Sequence, residues 1–189
     1  MRIISGLNKG KKLIMPNDKT TRPLKDMAKE SIFNILTHAH YINFNLKDSK
    51  VLDLFSGIGS FGLECISRGS KFVFFLENYP PVLEILKNNI SNLKYENKSK
   101  IINIDAFKIK SDTFQTDLKF QIIFCDPPYK EKRIEVLLKN LIEMDLLEKN
   151  GIIIIHRKKG DLDRYPNKFK IIDKKRYGIS TFVFGKKSN

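Results

Sequence analysis

From residue 50 onward, short uninterrupted apolar runs alternate with segments of helical periodicity, and few architectures accept that rhythm. Residues 50–55, 72–76, 100–104, 120–125 and 151–155 read as buried strands. One helical stretch reaches Ser67 and stops at Gly69. A second opens at Pro80-Pro81 and carries Val82, Leu86, Ile90 and Leu93, and a third holds Ile134, Leu138 and Leu141. Continuous apolar strands separated by helices predict an α/β fold, with a mostly parallel sheet covered on both faces. The rhythm breaks near the C-terminus. Residues 169–176 and 179–184, joined by Tyr177-Gly178, predict an antiparallel hairpin at the sheet edge. At the other end, residues 2–6 and 11–15 flank a turn with Asn8 and Gly10 and read as a small β-hairpin. Thr20-Thr21-Arg22-Pro23 then leads into a helix over 26–37, with Ala28, Ile32, Ile35 and Leu36 inward. The expected organisation is an N-terminal extension over 1–40, hairpin plus helix, on a main domain over 41–189.

A chain of 189 residues with 41% hydrophobic side chains can build one sizeable core. No apolar run nears the ~18 residues of a membrane span. Met1-Arg2-Ile3-Ile4-Ser5 has no signal-like apolar segment, so a cytoplasmic location with no membrane partner is expected. The two cysteines, Cys65 and Cys125, exclude a disulfide scaffold and a cysteine-rich zinc module, and read as buried small apolar residues. His38, His40 and His156 lack metal-ligand spacing, so no metal is expected; His156 reads as a strand-end residue bordering the site. Charge is more informative. The formal net charge is +14, of which residues 1–30 carry +5, 156–189 carry +8 and 31–155 only +1. An excess at the two ends of a nearly neutral body reads as a surface facing phosphates, with solvated lysine clusters as the alternative.

The first strand runs into Asp53-Leu54-Phe55-Ser56-Gly57-Ile58-Gly59-Ser60-Phe61-Gly62, a G-x-G-x-x-G turn, with acidic Glu77 after the second strand. Such glycines let backbone approach a ligand and let the following helix pack closely. Taken literally this is a dinucleotide fingerprint, but Asp53 would then face a pyrophosphate. Two like charges about 4 Å apart cost roughly 4 kcal/mol at an effective dielectric of about 20. S-adenosylmethionine carries an ammonium and a sulfonium and no phosphate, so the same carboxylate attracts it, directly or through water. On this reading Phe55, Gly57 and Gly59 form the cofactor turn and Glu77 accepts from the ribose hydroxyls. Asp105-Ala106-Phe107, after the third strand, meets the adenine, with Asp105 at the exocyclic amine and Phe107 at the ring face. Simpler roles stand beside these: Asp53 as a cap of the turn, Asp105 as a turn former, Phe107 as core.

The fourth strand ends in Asp126-Pro127-Pro128-Tyr129. Two prolines stop the strand and remove two N–H donors, leaving carbonyls free to act as acceptors. With the Asp126 carboxylate and the Tyr129 ring, this segment suits a flat base bearing an exocyclic NH₂. Its catalytic residues are then Asp126, Pro127, Pro128 and Tyr129. Acceptors on both N–H bonds aim the nitrogen lone pair at a methyl carbon, and Asp126 stabilises the charge that develops. In doubly wound sheets the first and fourth strands flank the switch point, which would put Asp53 and Asp126 in one crevice. The chain is too short for a separate target-reading domain of typical size, so the basic ends must hold the substrate. The candidates are Lys9, Lys11, Lys12, Arg22, Lys25, Arg157, Lys158, Lys159, Lys174, Lys175 and Arg176, with Arg22 nearest the target nucleotide.

These residues resemble one family, the RsmD-type methyltransferases that modify N2 of a guanine in small-subunit ribosomal RNA. The matching pieces are Arg2-Ile3-Ile4-Ser5-Gly6, Lys9-Gly10-Lys11-Lys12-Leu13, Thr21-Arg22-Pro23, Lys29-Glu30-Ser31-Ile32-Phe33-Asn34-Ile35-Leu36, Val51–Glu64, Ser67-Arg68-Gly69, Asp126–Tyr129 and Tyr177-Gly178. Asn78-Tyr79-Pro80-Pro81 and Ser60-Phe61 depart from the pattern. The resemblance implies a Rossmann-like class I methyltransferase with a seven-stranded sheet, S-adenosylmethionine as cofactor, and 16S rRNA in a small-subunit particle as partner; a monomer is expected. The alternatives are a DNA adenine-N6 or cytosine-N4 methyltransferase, a nicotinamide-dependent oxidoreductase, and a non-catalytic RNA-binding assembly factor.

Overall fold

The computed structural model describes residues 1–16, 26–110, 112–114 and 116–188, so the expectations on Arg22, Lys25 and the lead into the first helix lie outside the described residues. In chain order the strands are β1 (Lys50–Leu54), β2 (Phe72–Leu76), β3 (Ser99–Ile102), β4 (Phe120–Cys125), β5 (Leu147–Lys158), β6 (Phe169–Tyr177) and β7 (Ser180–Lys187). Across the sheet they lie β3-β2-β1-β4-β5-β7-β6. The pairs among β1 to β5 are parallel, while β7 runs antiparallel to both β5 and β6. The chain steps outward from β1 to β3, then crosses back to β4 beside β1. The switch point therefore falls between β1 and β4, as the strand rhythm implied.

Alternate strand residues feed two cores. Val51, Phe75, Ile122, Phe124 and Ile154 face α1 (Asp26–His38), α2 (Ser60–Ser67) and α3 (Pro80–Asn92). Leu52, Leu54, Ile123, Cys125 and Ile155 face α4 (Ile134–Glu143). Both sheet faces are thus covered, which is why these strands carry no polar alternation. Gly62 fits because a Cβ there would lie 2.3 Å from the Phe75 ring, so helix α2 can seat on β2 only without a side chain. No helix among the described residues is long and apolar enough to cross a membrane.

Three expectations are corrected. The first concerns β5, which begins at Leu147, four residues before the expected strand. Second, the N-terminal hairpin reduces to one antiparallel bridge, Arg2 with Lys12. Between the arms the Ile3 N–H donates to the Lys11 carbonyl and the Leu13 N–H to the Met1 carbonyl, while other N–H groups turn to helices. The Ile4 and Ser5 N–H groups donate to Glu64, those of Leu7 and Asn8 to Ser67, and that of Ile14 to Asn89. Ile3 and Leu13 are buried in the core between these contacts. Gly6 (φ +83°) is required at the crossing, since a Cβ would lie 1.8 Å from the Ser67 carbonyl oxygen. Third, Ile35 packs only partly buried against the core, while the inward face of α1 also takes Lys29, which is fully buried. Its ammonium pairs with Glu64 at 3.4 Å with both side chains fully buried, and donates to the Arg2 carbonyl at 2.7 Å.

Candidate active site

Glycine loop and Asp-Pro-Pro-Tyr segment meet at the C-terminal ends of β1 and β4, where Leu54 pairs with Cys125 and the Asp126 N–H donates to the Leu54 carbonyl. Asp53 is almost fully buried, and its carboxylate accepts the Gly62 N–H at 2.9 Å. That N–H is one of the orphan donors in the first turn of α2, whose N-cap, Gly59, offers no side chain. Asp53 thus caps α2 from the neighbouring strand. Burial pushes its carboxyl well above the usual carboxylate range, against the Gly62 hydrogen bond, and the charges of Asp126 and Glu77 push it further the same way. The three carboxylates form one electrostatic cluster at the switch point.

Glu77 is engaged by backbone. One oxygen accepts from Gly57 N–H at 2.7 Å, the other from Asn78 and Tyr79 N–H at 2.9 Å each. The first oxygen keeps one lone pair for a further donor. Glu77 also shapes the glycine loop, in which Phe55 (φ +57°), Gly57 (φ +55°) and Gly59 (φ +83°) take left-handed conformations. Asp105 accepts the Phe107 N–H at 2.9 Å and so caps a short 3₁₀ turn that contains buried Ala106. One face of Phe107 carries the Arg133 guanidinium at 3.8 Å, and its ring lies 5.8 Å from Phe55. Arg133 is held there by a two-pronged bond to Glu131, and that bond drives the Glu131 carboxyl down to about 2.

Across the crevice, Asp126 is aimed by a side chain from β5. His156 Nδ1 lies 2.8 Å from an Asp126 oxygen, and Nε2 lies 2.9 Å from the Ser180 hydroxyl on β7. An ionised carboxylate only accepts, so Nδ1 carries the proton; in the neutral ring Nε2 then accepts from Ser180. The imidazole is buried and stacks on Phe182 at 4.5 Å, while Tyr129 meets it edge-on at 5.8 Å. The Pro128 carbonyl is not a free acceptor. It takes the Glu131 N–H at 2.8 Å and lies 3.5 Å from Arg157 Nη1; Asp126 is half-buried and Pro127 buried beside it.

Residues 1–186 match the family described as Conserved hypothetical protein 95, the RsmD family. The chain belongs to this family. It is 33% identical over 183 residues to ribosomal RNA small subunit methyltransferase D of Haemophilus influenzae, covering 96% of this chain and 91% of that one. It is 31% identical over 151 residues to the Escherichia coli protein of the same name, covering 80% and 68%. The solved Escherichia coli protein yhhF superposes with a TM-score of 0.82 at 25% identity, over 100% of this chain and 98% of that one. The fold is the Rossmann-like sheet of class I methyltransferases.

In this RsmD-family chain one basic candidate moves from the surface to the interior. Arg157 is buried, with a two-pronged bond to Asp163 (2.8 and 3.0 Å) and a 2.8 Å bond to the Glu131 carbonyl. It braces the loop that follows Tyr129 and is removed as an RNA contact. Lys11, Lys12, Lys158, Lys174, Lys175 and Arg176 are exposed. The last three do not act as one block, because strand alternation points Lys175 to the α1 side and Lys174 and Arg176 to the other. Sequence reading missed the roles of His156, Ser180 and Arg133. The first two converge only through the β5–β7 register, in which His156 pairs with Phe182 and Lys158 with Ser180.

Proposed function

We propose that this protein transfers a methyl group from S-adenosylmethionine to the exocyclic N2 of a guanine in 16S rRNA, acting on the small ribosomal subunit as a cytoplasmic monomer. The placement of three carboxylates at adjoining strand ends carries the reading: Asp53 and Glu77 on the glycine-loop side, and Asp126 just past the end of β4, its N–H on the Leu54 carbonyl. A pyrophosphate would add negative charge to three carboxylates; a cationic ligand relieves their repulsion. The donor set therefore fits S-adenosylmethionine, and the names of the small-subunit relatives support the target. When bound, the cofactor supplies an electrophilic methyl group on a positively charged sulfur.

The chain's own residues do the rest. Asp126 and the carbonyls beside it accept the two N–H bonds of the amine, turning its lone pair out of the ring. As positive charge grows on nitrogen, Asp126 stabilises it. Holding both reactants aligned removes roughly 7–11 kcal/mol of barrier. Asp105 and Phe107 hold the adenine, with Arg133 yielding the ring face. The extension over 1–40 and the basic residues Lys11, Lys12, Arg22, Lys25, Lys158, Lys174, Lys175 and Arg176 hold the RNA backbone. The test is transfer of labelled methyl to small subunits, naked rRNA and duplex DNA, followed by nucleoside digestion. N2-methylguanine is expected; label in N6-methyladenine or N4-methylcytosine alone would replace the assignment.

Two variants probe the cluster. Asp53 binds a proton more tightly in the folded than in the unfolded chain, so its ionised form costs stability as pH rises above the unfolded value of about 3.9. Asp53→Asn keeps an acceptor for Gly62 and removes that cost. A Tm rise of about 3 °C at neutral pH is expected by calorimetry, roughly 1 kcal/mol for a chain of this size. S-adenosylmethionine affinity should fall about tenfold or more, near 1.4 kcal/mol; an unchanged affinity would remove Asp53 from the cofactor site.

His156 acts as a positioning residue. His156→Asn places an amide N–H near Nδ1 and still aims Asp126, whereas His156→Gln reaches Ser180 and drops the Asp126 bond. A hydrogen bond to a charged group contributes about 1.5–3 kcal/mol. The glutamine variant should therefore lose about ten- to a hundredfold in kcat, and the asparagine variant should recover most of it. Equal losses in both would show that the ring matters only for packing.

A further inference from the structure

Helix α1 carries two stripes. Ala28, Lys29, Ile32, Phe33 and Leu36 are buried against the body. Ser31, Asn34, Ile35, His38 and Ala39 follow at the same helical spacing, turned one face round, and none of them is buried. This second stripe forms one wall of an open groove of about 580 Å³ whose other wall is Tyr177 on β6. Motif pieces that the methyl-transfer site leaves unused, Ser31 and Asn34 on the helix and Tyr177-Gly178 on the hairpin, thus converge in one place.

The groove adjoins the acceptor site. Tyr177 lies opposite Ser180 in the β6–β7 register, and its ring is 6.0 Å from Phe182, on which His156 stacks. Lys174, Lys175 and Arg176 lead directly into Tyr177, and among the described residues no carboxylate lines the groove. The neighbouring acid, Asp173, is already paired with Lys175 at 3.2 Å and accepts the Tyr41 hydroxyl. Gly178 (φ +57°) turns the chain with open space where a Cβ would stand. An aromatic face, short polar side chains and adjoining cations are the parts that hold an unpaired base and its phosphate.

The geometry points to the α1–β6 groove as a second nucleotide subsite, taking an unpaired base of the RNA next to the target guanine. Tyr177 stacks on that base, Asn34 and Ser31 hydrogen-bond its edge, and Lys175, on the same face of β6 as Tyr177, meets its phosphate. The assignment rests on the reading of RNA as substrate. A concave wall beside a charged strand also fits a protein partner, which the test separates.

Fluorescence anisotropy with a labelled single-stranded RNA of about a dozen nucleotides, carrying a central guanine, reads the subsite without turnover. Tyr177→Ala should weaken binding by roughly 5- to 150-fold, the range for one stacked base. Tyr177→Phe keeps the ring and should retain affinity. Asn34→Ala, at an exposed helix position that leaves the fold undisturbed, should weaken binding as well. Wild-type affinity in both alanine variants overturns the subsite, as does a change in self-association by sedimentation in place of a change in RNA affinity. RNA bound through Tyr177 without methyl transfer would sink the enzymatic reading and keep the groove. Methyl transfer with an unaltered RNA KM in Tyr177→Ala would do the reverse.

Discussion

Asp126→Ala is expected to slow methyl transfer to ribosomal RNA by about a hundred- to ten-thousand-fold, while RNA affinity stays near that of the wild type. The range is what a positioned acid–base or charge-stabilising group contributes. No other described carboxylate stands where Asp126 stands: Asp53 is sealed under the α2 N-terminus and Glu77 is bound to three backbone N–H groups. Asp126→Asn separates charge from geometry. Its amide can still meet His156 and present one acceptor, so activity retained in Asn but lost in Ala would assign the effect to orientation. Single-turnover measurement with saturating cofactor is the check. A rate within threefold of wild type in the alanine variant would move the chemistry elsewhere.

The largest loss of stability is expected from Glu64→Leu. This fully buried carboxylate receives the Ile4 N–H at 2.8 Å, the Ser5 N–H at 2.9 Å and Arg68 Nε at 2.7 Å, and it pairs with Lys29. Leucine leaves a buried ammonium with only the Arg2 carbonyl and the weak Met1 sulfur acceptor, and orphans two backbone donors. Breaking such a pair costs about 3–5 kcal/mol, or about 6–20 °C in Tm for a chain of this length. Burial already pulls the Lys29 pKa below its ordinary value, with Glu64 opposing. Without Glu64 the folded chain binds that proton still more weakly than the unfolded one, so the variant should gain stability as pH rises toward 10. Lys29→Met added to Glu64→Leu should restore much of the loss. A Tm within 2 °C of wild type in the single variant would contradict the account.

Architecture was legible because its signals are local. Val51, Leu52 and Leu54, like Ile152–Ile155, put apolar side chains on both faces of their strands, the composition of a strand covered on both sides. Asp53 and Asp126 could be placed together because β1 and β4 flank the switch point by chain order alone. The arrangement around them was not legible. His156 and Ser180 sit 24 residues apart and meet through an antiparallel register that no periodicity reports. Arg157 carries the same charge as its exposed neighbour Lys158, but strand alternation turns it inward, where Asp163 and the Glu131 carbonyl receive it. The N-terminal arm pairs with itself only around Arg2 and Lys12, because the acceptors for Ile4, Ser5, Asn8 and Ile14, namely Glu64, Ser67 and Asn89, lie on helices more than fifty residues away.

The placement of β7 has a consequence for how the molecule comes into being. Although last in chain order, it is an interior strand, wedged between β5 and the outer β6. During synthesis the earlier strands can pair as they emerge, but the imidazole aimed at Asp126 lacks its hydroxyl neighbour until residue 180 is available. Assembly of the sheet thus ends with a late insertion, since β7 has to enter between two strands that both precede it in the chain. A nascent chain arrested before that event would hold a formed glycine loop beside an Asp126 whose imidazole partner still lacks the Ser180 hydroxyl.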